Sequence, residues 1–236
     1  MNLLAIETSG HSLSVAIKKG RAPARHAFLK GFSRHVENLI PLIDRLLKKE
    51  RLKIKEVDTF LIGRGPGSFT GLRVGFATLK GFLAVRERPC FGAYSFDLVA
   101  STIPRSGSRC ASGENLAVCL NAKRDKLYAR LYRSYRQGWK PAGAPFVKAP
   151  DDFFKELPAG TRVAGDGLAV CDRDLLKKIH SLPEKYWTPR ASALIKLYEK
   201  KDPLLKPFKR PKDFLPFYLR NSEAEERLKN KTQNQK

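Results

Sequence analysis

The chain has 236 residues and a formal net charge of +23 at pH 7, with 46 Lys and Arg against 23 Asp and Glu. This length accommodates one large domain or two small ones, and we expect two. The apolar runs are too short and too interrupted for a membrane-spanning helix, and the first residues indicate a strand rather than a signal peptide. Four scattered cysteines without a C-x-x-C pair favour a reducing, cytoplasmic compartment.

The first hundred residues predict three strands, a helix, a strand and a second helix. Their expected ranges are, in chain order, 2–8, 12–18, 22–29, 33–50, 57–63 and 72–86. The first two strands are joined by a Ser-Gly-His turn and are predicted to form a hairpin. Pro41 lies inside the first helical pattern and should bend the helix axis or force a later start. This order of elements is typical of an actin-like, or ribonuclease H-like, α/β lobe.

Between the fourth strand and the second helix lies a glycine-rich segment, Gly63 to Gly75, which also contains Pro66. Because it has few side chains, its backbone can approach another chain segment or a phosphate closely. Ser68 or Thr70 can cap a helix that begins near Gly71, where N–H groups and the helix dipole favour an anion. The spacing matches neither the P-loop nor the dinucleotide-binding fingerprint.

The second helix has more apolar surface than a helix lying on one sheet needs. Leu72 and Phe76 fall on one side of it, and Val74 and Phe82 fall on the other. Its glycines, among them Gly75, would let another backbone approach closely. Two alternatives stay open: either the outer face of the helix meets a partner, or both faces belong to the core of a two-layer domain.

The second half of the chain is less regular. A stretch rich in Ser, Gly and basic residues at 101–113 indicates a domain boundary or a surface loop. The elements expected after it are a strand pair at 116–121 and 126–133, a strand at 162–164, helices at 175–179 and 191–200, and an extended Pro-rich stretch at 203–216. We therefore expect a first lobe at 1–104, a second lobe at 105–220 whose C-terminal part can return to the first, and a polar tail at 221–236, disordered or loosely helical.

Several segments together resemble a known family. They are Leu-Ala-Ile-Glu-Thr-Ser at 4–9, His-Val-Glu-Asn-Leu-Ile-Pro-Leu-Ile at 35–43, Gly-Arg-Gly-Pro-Gly-Ser-Phe-Thr-Gly-Leu-Arg at 63–73, Tyr-Ser-Phe-Asp-Leu at 94–98 and Pro-Phe-Tyr-Leu-Arg at 216–220. In this order and spacing they resemble the TsaB (YeaZ) family. The resemblance is specific over the first hundred residues and weaker in the second lobe.

The resemblance implies an actin-like (ribonuclease H-like, ASKHA) two-lobed α/β fold with mixed sheets flanked by helices. It implies a scaffold and activator subunit of bacterial tRNA threonylcarbamoyladenosine (t6A) modification, without catalysis of its own. The implied partners are a TsaD-type catalytic subunit, a TsaE-type ATPase, a second copy of the chain, and tRNA through the complex, with no membrane. Asn121 stands where the family usually has an aspartate, so a role at that position is left open.

Two sets of site residues follow from the resemblance. A remnant nucleotide or phosphate site would comprise Glu7, Thr8, Ser9, Gly65, Gly67, Ser68 and Thr70, although Glu7 to Ser9 are better explained as a strand end and its turn. The partner interface would comprise Val36, Leu39, Ile43 and Leu46 of the first helix and Leu72, Gly75, Phe76 and Leu79 of the second. We assign no catalytic residue and no metal site, because the four histidines are isolated. No cofactor is required, and ATP or ADP at the partner interface stays open.

Two competing functions also stay open. The first is an active ATP-dependent transferase of the same fold, which would turn over ATP with magnesium and depend on Glu7. The second is a basic tRNA-binding module, whose affinity would fall steeply with salt. The basic residues lack interleaved aromatic residues, so a solvated surface explains the net charge as well as RNA contact does.

Overall fold

The structure, a computed structural model, describes residues 1–31, 35–105, 113–135, 138–210 and 213–220. In this part of the chain it contains two six-stranded sheets with helices packed on them. The predicted tail at 221–236 and most of the predicted boundary loop lie outside the described residues.

The first sheet is built mainly from the first hundred residues. Its strands are β1 (Leu3–Glu7), β2 (Ser12–Lys18), β3 (Arg25–Lys30), β4 (Thr59–Gly63), β5 (Cys90–Ala93) and β12 (Lys206–Pro207). They lie in the order β12-β5-β4-β1-β2-β3, with β1, β2 and β3 antiparallel and with β4 parallel to both β1 and β5. The predicted hairpin is confirmed, and the weak third strand begins at Arg25, three residues later than expected.

Helices cover both faces of this sheet. Alternate residues of β1 point to opposite faces, as the two-residue period of a strand requires. Leu4 and Ile6 pack in one apolar cluster with α1 (His35–Lys49) and α2 (Phe69–Val85). Leu3 and Ala5 pack in another with α6 (Ala191–Glu199), so the C-terminal part of the chain returns to the first sheet.

The second sheet belongs to the middle of the chain. Its strands are β6 (Asn115–Asn121), β7 (Leu127–Tyr135), β8 (Gly138–Pro141), β9 (Phe146–Lys148), β10 (Arg162–Ala164) and β11 (His180–Ser181). The main order is β11-β10-β6-β7-β8, and β9 also pairs with β7. The predicted antiparallel pair is confirmed as β6 and β7, and the strand at 162–164 is confirmed as β10.

Three shorter helices accompany the second sheet. They are α3 (Ser95–Thr102), α4 (Pro150–Lys155) and α5 (Arg173–Lys177). One face of β6 packs with α3 and the other with Phe153 and Phe154 of α4. Because α3 also contacts α6, it connects the two sheets.

Pro41 lies inside α1 and does not delay its start beyond His35. A proline removes the N–H that would bond to the carbonyl four residues earlier, which is Glu37. Both Pro41 and Glu37 are exposed, so water can satisfy that carbonyl. Of the two expected outcomes, the later start is wrong, because the proline occupies the solvent side of the helix, and the bend of the helix axis stays a prediction.

Candidate functional site

The glycine-rich loop packs directly against the turn between β1 and β2. The Ser68 N–H donates to the Ser9 carbonyl at 2.7 Å. A Cβ atom on Gly67 would overlap that same carbonyl, and a Cβ on Gly63 would overlap the Glu7 carboxylate. Glycine is therefore required here because two backbone segments of the same chain meet.

The start of α2 uses its own side chain as a cap. Ser68 is the N-cap, and its Oγ accepts from the Gly71 N–H at 3.2 Å, whereas Thr70 is exposed. The N–H of Ser68 is accepted by Ser9, so two amides of this predicted anion site already have protein partners. Gly65 lies at φ +92° and its carbonyl accepts from the Ser95 N–H at 2.8 Å. Nucleotide binding at this loop stays a prediction.

Glu7 and Thr8 are completely buried below the loop. The Glu7 Oε1 accepts from the Ser9 N–H at 2.6 Å, whereas Glu7 Oε2 and Thr8 Oγ1 have no hydrogen-bond partner within the described residues. Burial raises the pKa of the Glu7 carboxyl from 4.5 to about 7, opposed by the hydrogen bonds with Ser9 and assisted by the Asp166 carboxylate. The Ser9 hydroxyl is engaged with the Ser95 hydroxyl at 2.6 Å. Glu7 therefore stabilises the turn between β1 and β2, and Ser9 joins that turn to α3.

The second lobe contributes an acidic residue that sequence reasoning missed. Asp166 Oδ1 accepts from the Asn121 N–H at 3.1 Å, and a Cβ on Gly10 would lie 3.9 Å from Asp166 Oδ2. Burial raises the pKa of Asp166 to about 6. The Asn121 side chain accepts from the Lys123 N–H at 2.7 Å and so shapes its own turn. The only sequence signal for Asp166 is its position between two glycines directly after β10.

A second buried carboxylate joins α3 to β7. Asp97 Oδ1 accepts from Arg130 Nη1 at 3.0 Å and from the Tyr132 hydroxyl at 2.6 Å. Burial raises the pKa of Asp97 to about 6, and the Arg130 charge and the Tyr132 hydrogen bond oppose this rise. A buried carboxylate with two donors fixes the relative position of the elements that carry them.

The C-terminal segment covers the loop from the outside. The Phe217 N–H donates to the Arg64 carbonyl at 2.7 Å, and the Arg64 guanidinium lies 5.5 Å from the Tyr94 ring centroid and 5.1 Å from that of Phe208. Farther along, Arg220 Nη1 donates to the Ala122 carbonyl at 3.3 Å. The segment therefore runs from the glycine-rich loop to the β6–β7 turn.

The predicted interface residues lie in the core. Seven of them are buried against the first sheet, namely Leu39, Ile43, Leu46, Leu72, Gly75, Phe76 and Leu79. The side chain of Val36 lies outside the described residues. A Cβ on Gly75 would lie 2.5 Å from Thr8 Oγ1, so this glycine permits contact within the chain. The choice of surface residues is therefore corrected for six of these seven, which belong to the inward stripe of the two helices, whereas Ile43 also lines the groove described next.

An apolar groove lies on that outer face. It has a volume of about 710 Å³ and runs between α1, the 3₁₀ turn Ile54–Glu56 and the C-terminal half of α2. An adjoining pocket of about 90 Å³ shares Ile54 and Phe82 with it. Ile40 and Val85, on α1 and α2, are 49% and 90% exposed. We call these two connected cavities the α1–α2 groove.

No group of three or more His, Cys, Asp or Glu side chains is placed to hold a metal ion in the part of the chain that the structure describes. In the same part, no helix combines the length and the apolar character needed to cross a bilayer. Arg73, exposed on α2, stacks with its guanidinium 3.9 Å from the Phe69 ring centroid.

Comparisons with known proteins agree with this architecture. Residues 31–187 match the family model described as TsaD: tRNA N6-adenosine threonylcarbamoyltransferase. The tRNA threonylcarbamoyladenosine biosynthesis protein TsaB of Haemophilus influenzae is 29% identical over 128 residues, which cover 54% of this chain and 52% of that protein. The TsaB protein of Escherichia coli is 25% identical over 152 residues, 64% of each chain. The chain thus spans about half to two thirds of the length of these curated relatives.

The solved structure of YeaZ from Pseudomonas aeruginosa has the same fold. It superposes with a TM-score of 0.72 at 23% sequence identity, covering 92% of this chain and 100% of that one. The actin-like fold with mixed sheets flanked by helices is therefore confirmed. Because the family model covers more than half of the chain, the chain belongs to the family that this model describes, and within that family it is similar to TsaB (YeaZ) proteins.

Proposed function

We propose that this protein is a non-catalytic scaffold and activator subunit in t6A modification of tRNA, and that it binds a TsaD-type catalytic subunit through the α1–α2 groove. The observation that carries the proposal is the exposed apolar surface of the groove, with Val85 90% exposed at the end of α2. Contiguous exposed apolar surface marks interaction sites. A homologous subunit that carries its own helix pair would cover it.

The burial of the β1–β2 turn supports the non-catalytic part of the proposal. In an active nucleotide site the carboxylate and hydroxyl groups of that turn must reach the ligand. Here Glu7 and Thr8 are fully buried, and the Ser9 hydroxyl is bonded to Ser95. Burial keeps the Glu7 carboxylate and the Thr8 hydroxyl away from the surface, and the Ser9 hydroxyl is already engaged, which supports a subunit without catalysis of its own.

The remaining partners follow from the same proposal. A TsaE-type ATPase and the tRNA would join through the complex in the cytoplasm, and ATP or ADP would bind at the subunit interface. A second copy of the chain is an alternative occupant of the groove when the catalytic subunit is missing. The net charge of +23 supports a second candidate function, direct contact with tRNA phosphates.

The first test measures association with a TsaD-type subunit encoded in the same genome, by size-exclusion chromatography with light scattering and by titration. We compare wild type with Val85→Asn and with the matched control Val170→Asn, since Val170 is 53% exposed in the other half of the molecule. We expect Val85→Asn to weaken the complex by about tenfold, which corresponds to about 1.4 kcal/mol, and Val170→Asn to bind as wild type does. No complex with wild type, or equal affinities for all three, contradicts the proposed interface.

The second test separates scaffold from enzyme. The TsaD-type subunit and TsaE-type ATPase are assayed for t6A formation on tRNA with and without this chain. We expect little product without it and full activity when wild type or Glu7→Gln is added. If the isolated chain hydrolyses ATP with magnesium and Glu7→Gln abolishes that hydrolysis, the protein is an enzyme and the scaffold proposal is wrong.

A further inference from the structure

We infer that the α1–α2 groove selects an amphipathic helix whose apolar face is flanked by acidic side chains, and that it disfavours a second copy of this chain. This inference rests on the proposed function, because it specifies the chemistry of the partner at the same surface. It adds that rim charge, and not the apolar floor alone, decides which helix pair binds.

The rim of the groove is strongly basic. Six basic side chains line it against two acidic ones: Lys48, Arg51, Lys53, Lys55, Arg86 and Arg88 against Asp44 and Glu56. Both acids are already engaged within the rim. The Asp44 carboxylate pairs with Lys48 Nζ at 2.7 Å, and the Glu56 carboxylate accepts from the Lys53 N–H at 2.7 Å. The rim is left with a surplus of positive charge that an acidic partner would neutralise.

The floor of the groove indicates a helix rather than RNA. Ile43, Leu47 and Leu52 are buried along it, Phe82 is half-buried, and Ile40 is half exposed at its edge. An apolar groove of this kind takes the apolar face of an amphipathic helix, with anchors spaced by three or four residues. RNA phosphates would contact the lysines and arginines but would leave the apolar floor exposed to water.

A second copy would bring the same rim against itself. A two-fold homodimer uses the same patch on both subunits, so basic side chains would face basic side chains across the groove. Like charges juxtaposed at an interface disfavour binding, and salt screens them over a Debye length of about 8 Å at physiological ionic strength. Self-association should therefore strengthen as salt rises, whereas binding of an acidic partner should weaken.

The test uses two synthetic amphipathic helical peptides with identical apolar positions, one flanked by Glu and one by Lys, titrated by fluorescence anisotropy. At about 50 mM salt we expect the Glu peptide to bind at least about tenfold more tightly, and at about 500 mM salt we expect most of this preference to vanish. Light scattering of the chain alone should show more dimer at the higher salt. Equal binding of both peptides, or a dimer that dissociates as salt rises, overturns the inference.

Charge reversal supplies the matched variants. Lys53→Glu/Lys55→Glu should abolish the preference for the Glu peptide, because it leaves four basic and four acidic side chains on the rim. Arg133→Glu/Lys140→Glu, an exposed cross-strand pair on β7 and β8, makes the same charge change away from the groove and should leave the preference intact. If both variants behave alike, only net charge matters and the inference is wrong. If tRNA displaces the Glu peptide and Lys53→Glu/Lys55→Glu abolishes tRNA binding, the occupant is RNA and the inference is also wrong.

Failure of the proposed function gives a different result. If the TsaD-type subunit does not bind but the Glu peptide is selected, the inferred chemistry of the groove is supported and the proposed partner is wrong. If the TsaD-type subunit binds Lys53→Glu/Lys55→Glu as tightly as it binds wild type, the proposed partner is supported and the inferred role of the basic rim is wrong.

Discussion

The two halves of α2 differ although their composition is similar. In the N-terminal half, Gly75 faces Thr8 so closely that a Cβ atom would lie 2.5 Å from the threonine hydroxyl. In the C-terminal half, Gly81 has no atom within 4 Å of the position that a Cβ would take, and Val85 is 90% exposed. One helix therefore holds its own lobe together at its first half and offers a surface at its second. Composition alone does not distinguish these roles.

The largest expected effect comes from adding one methyl group to each glycine of this helix. Gly75→Ala should lower the free energy of unfolding by about 3 kcal/mol, because Thr8 is fully buried and has no space to move. Gly81→Ala should raise it by about 0.5–1 kcal/mol, since alanine is the better helix former and meets no neighbour. Urea denaturation of both variants and of wild type measures the difference.

This pair also shows which variants can probe an interface. A change at Gly75 would disturb the lobe before it reached any partner, so lost binding there would report unfolding. Equal stabilities of Gly75→Ala and Gly81→Ala would mean that the close approach of α2 to the β1–β2 turn is not maintained in solution.

The next effect concerns the buried carboxylate of Glu7, which lies near the N-terminal half of α2. The pKa of Glu7 is raised from 4.5 to about 7, so the folded state binds a proton that the unfolded state has released across this range. Wild-type stability should therefore rise as pH falls from about 7 toward 4.5. Glu7→Gln mimics the protonated carboxyl and keeps an oxygen for the Ser9 N–H. It should be more stable than wild type by about 2–3 kcal/mol at pH 8, and this advantage should vanish near pH 5.

Thermal unfolding of wild type and Glu7→Gln from pH 5 to 8 checks the predicted direction of this stability change. The variant should keep part of the pH dependence, because burial also raises the pKa values of Asp97 and Asp166 to about 6. Glu87→Gln, at an exposed carboxylate, serves as the control, and its stability should match that of wild type at each pH. A Glu7→Gln variant less stable than wild type at pH 8 would contradict this prediction, because it would mean that the folded state stabilises the charged carboxylate.

The sequence predicted the elements of the first sheet better than it predicted their orientation. The alternation of apolar residues locates β1 and β2, and the glycines that precede α2 locate its start. The Ser68 cap is predicted because a serine comes directly before an apolar helical segment. Helical periodicity identifies an apolar stripe but does not say whether that stripe meets a sheet or a partner. For this reason the inward stripe of α1 and α2 was predicted as the interface.

The candidate site was predicted only in part. Its first-lobe residues are adjacent in sequence or belong to one glycine-rich segment, so local pattern finds them. Asp166 is brought to Gly10 only by the packing of two lobes, and no local pattern specifies that approach. The short strands β8 and β9 are missed because three or four residues carry little alternation.

The smallest expected effect concerns the first turn of α2. Ser68→Ala removes the oxygen that accepts the Gly71 N–H, and should lower stability by about 1 kcal/mol. Ser68→Asp is the matched variant, because its carboxylate accepts the same N–H and its charge is favourable at a helix N-terminus. Thermal unfolding should place Ser68→Asp at or above wild type and Ser68→Ala below it. If ADP with magnesium raises the melting temperature of wild type but not of Ser68→Asp, the start of α2 is an anion site as well as a capped helix end.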